Sequence, residues 1–413
     1  MEKYIKMLKN KNFSLLFWGQ TVSEIGSYIN YIGLTWLVLN ATGEILKLSM
    51  LMVFLKLPSI IIGPLAGVWV DRWNKKAIII TSDIIRGVLS ILLVFTGNIN
   101  FIFLIVLTQG IFDAFFSPAI RSIVPRIVDK EELMTANSMT TSVNQLATLI
   151  GPAIGGVLVG LFGSYIVFII NGVSFLISAI FEMFIKIPKA EKVEGVKENT
   201  FKEDLIEGFS YISKSKSIKF IIVFFAIASL PFGAVPVLNV AHINSLGFSA
   251  EAYGLVTAIF SAGLLTGALL IGSLDNKMKE INMIVFGIGG FGISYILFAV
   301  FKYLFLMVIF VFICGIFMSM VNIAYGVYLQ KNVEASKLGR VFSIDIAIGN
   351  VILLASMLLT GFLADRVGAY LLMIGCGTII IIQTLITFNI RSYKELTSNQ
   401  LASNEMSTSS KTV

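Results

Sequence analysis

Charged side chains inside apolar runs are the residues of this chain that could do chemistry: Glu24, Lys56, Asp83, Arg86, Asp113, Glu182 and Asp345. An ionised group facing lipid is costly, so a charge at membrane depth faces a partner or a watered cavity. Gln20, Glu24, Ser27 and Tyr31 recur at i, i+4, i+7 and i+11 on the first run, one polar stripe on a helix. Gln109 and Asp113 repeat the i, i+4 pairing on the fourth run. A carboxyl group in a low dielectric resists ionisation, whereas a neighbouring cation favours the charged form. Glu24 and Asp113 are therefore the leading candidates for groups at which a proton and a cationic ligand compete. The competing reading pairs Glu24 or Asp113 with Lys56, which lies mid-run just before Pro58, as an internal ion pair holding helices together. Asp83 and Arg86, at i and i+3, are expected to satisfy each other. Glu182 is expected near a membrane interface. Asp345 lies two turns into its run, where a helix N-terminus favours an anion, and is a further coupling candidate.

The elements that position these groups are long and apolar. The chain has 413 residues, 56% hydrophobic and only 13% charged. Soluble domains carry about 25% charged residues, and runs of spanning length recur about twelve times here. Lipid is the solvent this implies. The net charge of +7 does not point to nucleic acid, because Lys and Arg lie between apolar runs rather than along one face. Cys314 and Cys376 fall inside runs, so neither a disulfide nor a thiolate metal site is expected. One histidine, His242, argues against zinc or haem, and no cofactor is expected. The basic N-terminus leads into a long apolar run with no small-residue cleavage site, which reads as an uncleaved first helix.

The pattern predicts an all-α membrane protein of twelve transmembrane helices in two pseudo-symmetric six-helix bundles. Spans are expected at roughly 13–39, 46–70, 77–97, 99–124, 135–162 and 165–187, then at 218–242, 251–274, 281–301, 303–329, 338–364 and 369–390. The domains follow as a bundle over 1–187, a cytoplasmic linker over 188–217, a second bundle over 218–392 and a disordered tail over 393–413. Within the linker Phe201, Leu205, Phe209 and Ile212 keep helical spacing, which predicts an amphipathic helix on the membrane surface. With both termini cytoplasmic, nearly all basic residues fall on that side, and only Lys47, Lys302 and Arg366 fall outside.

The halves repeat at an offset of 205 residues. Val128 matches Val333, Leu133 matches Leu338, Ser138 matches Ser343, Gly156 matches Gly361, Gly163 matches Gly368 and Tyr165 matches Tyr370. Asp71 matches Asp275 at nearly the same offset. Repeats of this kind form a site midway through the membrane, at their interface.

The stretch GVWVDRWNKK, Gly67 to Lys76, packs Asp71, Arg72, Lys75 and Lys76 between two runs and reads as a short loop at a membrane surface. With GPAIGG (Gly151 to Gly156), LGRVFS (Leu338 to Ser343) and GFLADRVG (Gly361 to Gly368), it resembles the major facilitator superfamily, in its macrolide-efflux-type branch of drug/proton antiporters. Asn74 and Lys75 stand where the loop signature usually has glycine and arginine. Ser138 and Ala147 replace upstream glycines of the antiporter signature, and Val106 stands where the pattern has an arginine. The resemblance implies proton-driven export across a bacterial-type cell membrane, with spans one, four, seven and ten lining a cavity.

Gly67, Asp71, Arg72, Lys75 and Lys76 form the expected gating loop, Asp71 latching onto the N-terminal end of span eleven near Gly339 to Ser343. Gln20, Tyr31, Gln109, Phe232, Asn239, Asn322 and Tyr325 are candidate cavity residues, giving broad apolar contact with a few hydrogen bonds; packing is the competing role. Gly151, Pro152, Gly155 and Gly156 permit close helix contact or a kink. Gly287, Gly289 and Gly292 spell GxGxxG with no preceding strand, which excludes a nucleotide role, and no GxxxxGK[ST] occurs. The expected protein is a monomeric, proton-coupled exporter of hydrophobic, cationic, macrolide-like drugs; the alternative is an exporter or flippase of an endogenous amphiphile such as a siderophore or lysolipid. An intramembrane enzyme would need a nucleophile with a base or a metal set, and His242 has no evident partner in the sequence.

Overall fold

The computed structural model describes residues 2–188, 201–273, 278–335 and 337–389. The expected tail, Asp275 and the side chain of Asp71, and with it the expected Asp71 latch, lie outside the described residues. The chain folds into α1 (Glu2–Lys9), α2 (Lys11–Thr42), α3 (Ile45–Ile61), α4 (Gly63–Arg72), α5 (Lys75–Leu92), α6 (Ile99–Ile127), α7 (Leu133–Phe162) and α8 (Ser164–Met183). It continues through α9 (Phe201–Lys214), α10 (Lys216–Ser245), α11 (Ala250–Ser273), α12 (Glu280–Val300), α13 (Leu304–Asn332), α14 (Leu338–Val367) and α15 (Ala369–Asn389).

Helix ends follow local chemistry. The Oδ1 atoms of Asn10 and Asn74 each accept two backbone N–H groups at the starts of α2 and α5. Gly43 and Gly163, at φ 67° and 79°, close α2 and α7 in conformations that a side chain would resist. Ten helices among the described residues are long and apolar enough to cross a membrane. α2 and the α3–α4 pair occupy the places of the first two expected spans. The second expected span is broken, because Pro58 sits inside α3 and Pro64 starts α4. Gly67, Asp71 and Arg72 consequently lie in a helix rather than a loop, and the turn is confined to Trp73 and Asn74. Large apolar side chains such as Leu161, Leu269, Phe305 and Ile386 stand on the outside, as lipid contact requires.

Two compact units divide the chain: Met1–Glu194 with Asn239–Ala258, and Gly195–Leu238 with Ile259–Val413. In the first, α2 packs along α8 through Gly19, Gly26 and Gly33, spaced by one heptad. A Cβ at Gly26 would lie 2.3 Å from Ser174 Oγ, and one at Gly33 would lie 2.2 Å from Val167 Cγ2. The inclusion of Asn239–Ala258 departs from a simple division at the linker. Gly254 packs there against the backbone of Pro152 and Gly156, and Asn244 Nδ2 donates to Asn40 Oδ1 at 3.3 Å. In the second unit the linker helix α9 docks on the start of α14, where Glu207 pairs with Lys337 and, at 2.7 Å, with Arg340. Tyr211 Oη accepts from the Glu334 backbone N–H at 3.1 Å.

The internal repeat is visible in close approaches. A Cβ at Gly87 would meet Gly172 O at 2.9 Å between α5 and α8; at Gly377 it would meet Gly292 O at 2.9 Å between α12 and α15. Gly110 packs on Pro58 between α6 and α3, and Gly315 packs on Gly263 between α13 and α11. Each member of the second set lies 205 residues after its counterpart, and Gly163 and Gly368 both take a positive φ, 79° and 84°. Each unit thus carries one packing scheme. Gly87→Ala is expected to destabilise the protein by about 1–3 kcal/mol, because the carbonyl facing it cannot swing away. Gly375→Ala, which meets open space, is expected to be neutral or to gain up to about 1 kcal/mol; melting of the two purified variants in detergent checks this.

Candidate functional site

Four helices of the first unit, α2, α5, α6 and α8, converge on one arginine. The buried stripe of α5 carries Ser82, Asp83, Arg86, Gly87 and Ser90, so its polar residues point inward. The Gly87–Gly172 approach brings α8 close enough to face that stripe. Arg86 donates through Nη2 to Asp83 Oδ1 and through Nη1 to Asp113 Oδ1 at 2.8 Å. Its guanidinium carbon stands 4.1 Å from the Phe116 ring centroid and 4.4 Å from that of Phe175. Two aromatic faces and two carboxylates replace the water that a buried guanidinium gives up. Gln109 Nε2 donates to the Arg86 carbonyl at 3.0 Å, fixing α6 to α5.

Glu182 extends the cluster. It is fully buried, accepts from Gln20 Nε2 at 3.3 Å through Oε1, and leaves Oε2 without a hydrogen bond. It lies within electrostatic reach of Asp83 and Arg86. Glu24 on α2 lies within reach of Asp113, Arg86 and Asp83. Asp83 is sealed from solvent, whereas the side chain of Asp113 is 52% exposed. One cation therefore binds two carboxyl groups, one of them open to the outside, and stands within electrostatic reach of two more. Such a cluster approaches neutrality by taking up protons or a second cation.

The structure brings Gln20, Glu24, Gln109 and Asp113 together, as the two polar stripes suggest. It does not add Lys56, which is exposed and has no ion pair among the described residues. The cation beside Asp113 is Arg86, so the expected pairing with Lys56 is corrected. The reason is rotational: the turn holding Lys56 presents Pro58 to Gly110 of α6 and leaves the lysine outside. The reading of Asp83 and Arg86 as a self-satisfied pair captured one bond and missed the second. Glu182 also reads differently, buried in the cluster rather than at an interface. A signal existed in the sequence, since the polar residues of α5 recur at helical spacing on one face.

The remaining candidates scatter. Tyr31 Oη lies 3.8 Å from Met52 Sδ. Phe232 packs edge-on to Phe291 with centroids 4.7 Å apart, Asn239 lies on the part of α10 within the first unit, and Asn322 is exposed on α13. Tyr325 stacks on Phe225 at 4.1 Å and donates to Asp345 Oδ1 at 2.6 Å, joining α13 to α14. Lys75 is buried with its ammonium donating to Val70 O, Lys76 donates to Met183 O, and Arg72 is exposed. Gly151 and Gly155 pack against Tyr28 and Ile29 of α2. Among the described residues no three His, Cys, Asp or Glu converge as a metal set.

The second unit carries the same scaffold without these charges. The positions 205 residues beyond Gln20, Asp83, Arg86, Asp113 and Glu182 are Phe225, Ile288, Phe291, Met318 and Thr387. Ile288, Phe291 and Thr387 are buried there, with Phe291 stacked against Tyr295.

Comparison with known proteins bears on both fold and site. The family model described as Major Facilitator Superfamily matches residues 16–344 and 232–406. The chain is 26% identical over 413 residues to Macrolide efflux protein A of Streptococcus pyogenes, covering 96% of this chain and 99% of that protein. It is 24% identical over 346 residues to the Staphyloferrin A transporter of Staphylococcus aureus, covering 81% and 85%. A solved bacterial homologue of the human lysosomal transporter Spinster aligns with a TM-score of 0.73 at 13% identity, over 90% of this chain and 94% of that one, a likeness of fold. Built of helices with no strand among its described residues, repeated internally and matched by the family model along most of its length, the chain belongs to the Major Facilitator Superfamily.

Proposed function

We propose that the protein is a secondary active exporter that exchanges protons for hydrophobic, cationic, macrolide-like compounds by alternating access. The observation that carries this reading is the presence of the Arg86 cluster in one copy of a repeated scaffold. The second unit packs equivalently with Phe291 in place of the arginine, so the fold does not need the charges. Buried ionisable groups that packing does not require, and that cost free energy to bury, point to function. The full-length similarity to a macrolide efflux protein supports the substrate class.

The chemistry follows from Asp113. Its carboxylate is shared between Arg86 and the outside, so a bound cation competes with the guanidinium for it. Protonation of Asp113 or Glu24 removes the attraction and releases the cation. Arg86 also answers the valine at position 106: the cation absent from α6 reaches the same region from α5, where Gln109 holds its backbone. The second reading, export of an endogenous amphiphile such as a siderophore, is supported by similarity to the Staphyloferrin A transporter.

Orientation rests on basic groups gathered at one end. Lys6 pairs with Glu132 at 2.7 Å and Asn10 bonds Ile127 O, placing α1 beside Arg126 and the start of α7. We assign that end, and with it both termini, to the cytoplasm of a bacterial-type cell membrane.

In everted vesicles, Glu24→Gln and Asp113→Asn are expected to cut proton-driven efflux by at least about tenfold, the ratio that roughly 1.4 kcal/mol produces. Undiminished efflux in both would remove the carboxylates from the mechanism. Drug-independent, saturable amphiphile movement by the same vesicles would favour the second reading. Arg86→Met strands buried carboxyl groups and should cost about 3–5 kcal/mol of stability, and the Asp83→Asn/Arg86→Met double variant should recover most of it, measured by melting in detergent.

A further inference from the structure

A second polar feature of the first unit lies apart from the Arg86 cluster. A cavity of about 440 Å³ opens between the start of α5, the last turn of α6 and the segment that follows α8. Lys76, Arg126 and Lys186 line it, beside Trp73, Ile187 and Pro188, and among the described residues no Asp or Glu does. Lys75 also lines it but is buried and turned onto Val70 O, so it is set aside. Lys76 keeps two of its three N–H groups beyond its bond to the neutral Met183 carbonyl at 2.6 Å. Arg126 is half-buried, and its guanidinium makes no hydrogen bond or ion pair among the described residues. The Lys186 side chain is exposed, while its backbone N–H is held by Asn12 Oδ1 at 2.9 Å. The N-terminal N–H groups of α5 are already capped by Asn74, so the site rests on side chains rather than on a helix end.

Three cations around one open cavity repel one another until an anion joins them. The surroundings select the kind of anion. Trp69, Trp73 and Phe115 cluster as a triangle of near-parallel rings, with centroids 5.8, 5.9 and 6.2 Å apart, and the two indoles are 43% and 55% exposed. Exposed indoles at the end of a spanning helix sit at headgroup level, and Ile187 and Pro188 add an apolar wall. Basic pockets between helices at this level take anionic headgroups. We propose that the cavity holds the phosphate of an anionic phospholipid, gripped by Lys76, Arg126 and Lys186, with Trp73 beside the glycerol. A lipid seated there ties the α4–α5 turn to α6 and α8, independently of which compound the protein carries.

The test uses the full chain, purified and delipidated, with equimolar dioleoylphosphatidylglycerol and dioleoylphosphatidylcholine, read by native mass spectrometry. The wild type is expected to retain one phosphatidylglycerol preferentially. Arg126→Gln/Lys186→Gln should lose about 30-fold in that retention, and Lys186→Gln alone about 5-fold. Arg126→Lys/Lys186→Arg, which keeps the charge, should retain the lipid. Equal retention by the wild type and the neutral variants would overturn the proposal. Displacement of the lipid by millimolar inorganic phosphate alone would overturn the lipid assignment in favour of a free-anion site.

Discussion

A guanidinium that cannot reach water is the constraint to which the first unit answers. Arg86 is held between two carboxylates and two aromatic rings, and each belongs to an element that must be placed for the charge to be tolerated. α5 supplies Asp83, α6 supplies Asp113 and Phe116, and α8 supplies Phe175. Glycines make this convergence possible, because Gly87 and Gly172 let α5 and α8 approach to backbone contact. With the bulk of a side chain there, Glu182 and Phe175 would stand too far away to compensate the buried charge.

The repeat separates what the fold needs from what the site needs. Close approaches at Gly87 and Gly172 recur at Gly292 and Gly377, and the helix stop at Gly163 recurs at Gly368. Close packing is therefore common to both units. The charges are not: the uncharged side chains of Ile288, Phe291, Met318 and Thr387 fill the matching positions of the second unit, where dispersion largely takes over from electrostatics. A polar link of that unit, Tyr325 to Asp345, joins a different pair of helices, α13 and α14.

Much of the fold was legible because lipid imposes a simple rule: a spanning backbone must satisfy its own hydrogen bonds, so long apolar runs become helices. The helix of the linker and the glycine stops were legible for equally local reasons. The break at Pro58 and Pro64 was written in the sequence, but the length of the apolar run concealed it. The docking of α9 through Glu207 was not legible, since charged partners 130 and more residues away leave no periodic trace.

The sequence by itself determined which segments are helical, that the halves repeat, and which carboxylates lie inside apolar runs. Composition and periodicity are properties of neighbouring residues along one chain, so they survive without coordinates. Only the tertiary structure decided that Arg86 rather than Lys56 meets Asp113, and that Glu182 belongs with them. Both cations lie on apolar helices, and the choice between them depends on how each helix is rotated by close contacts, Gly87 on Gly172 and Pro58 on Gly110. A few tens of degrees of rotation carry a side chain from lipid to cluster, and packing sets that angle.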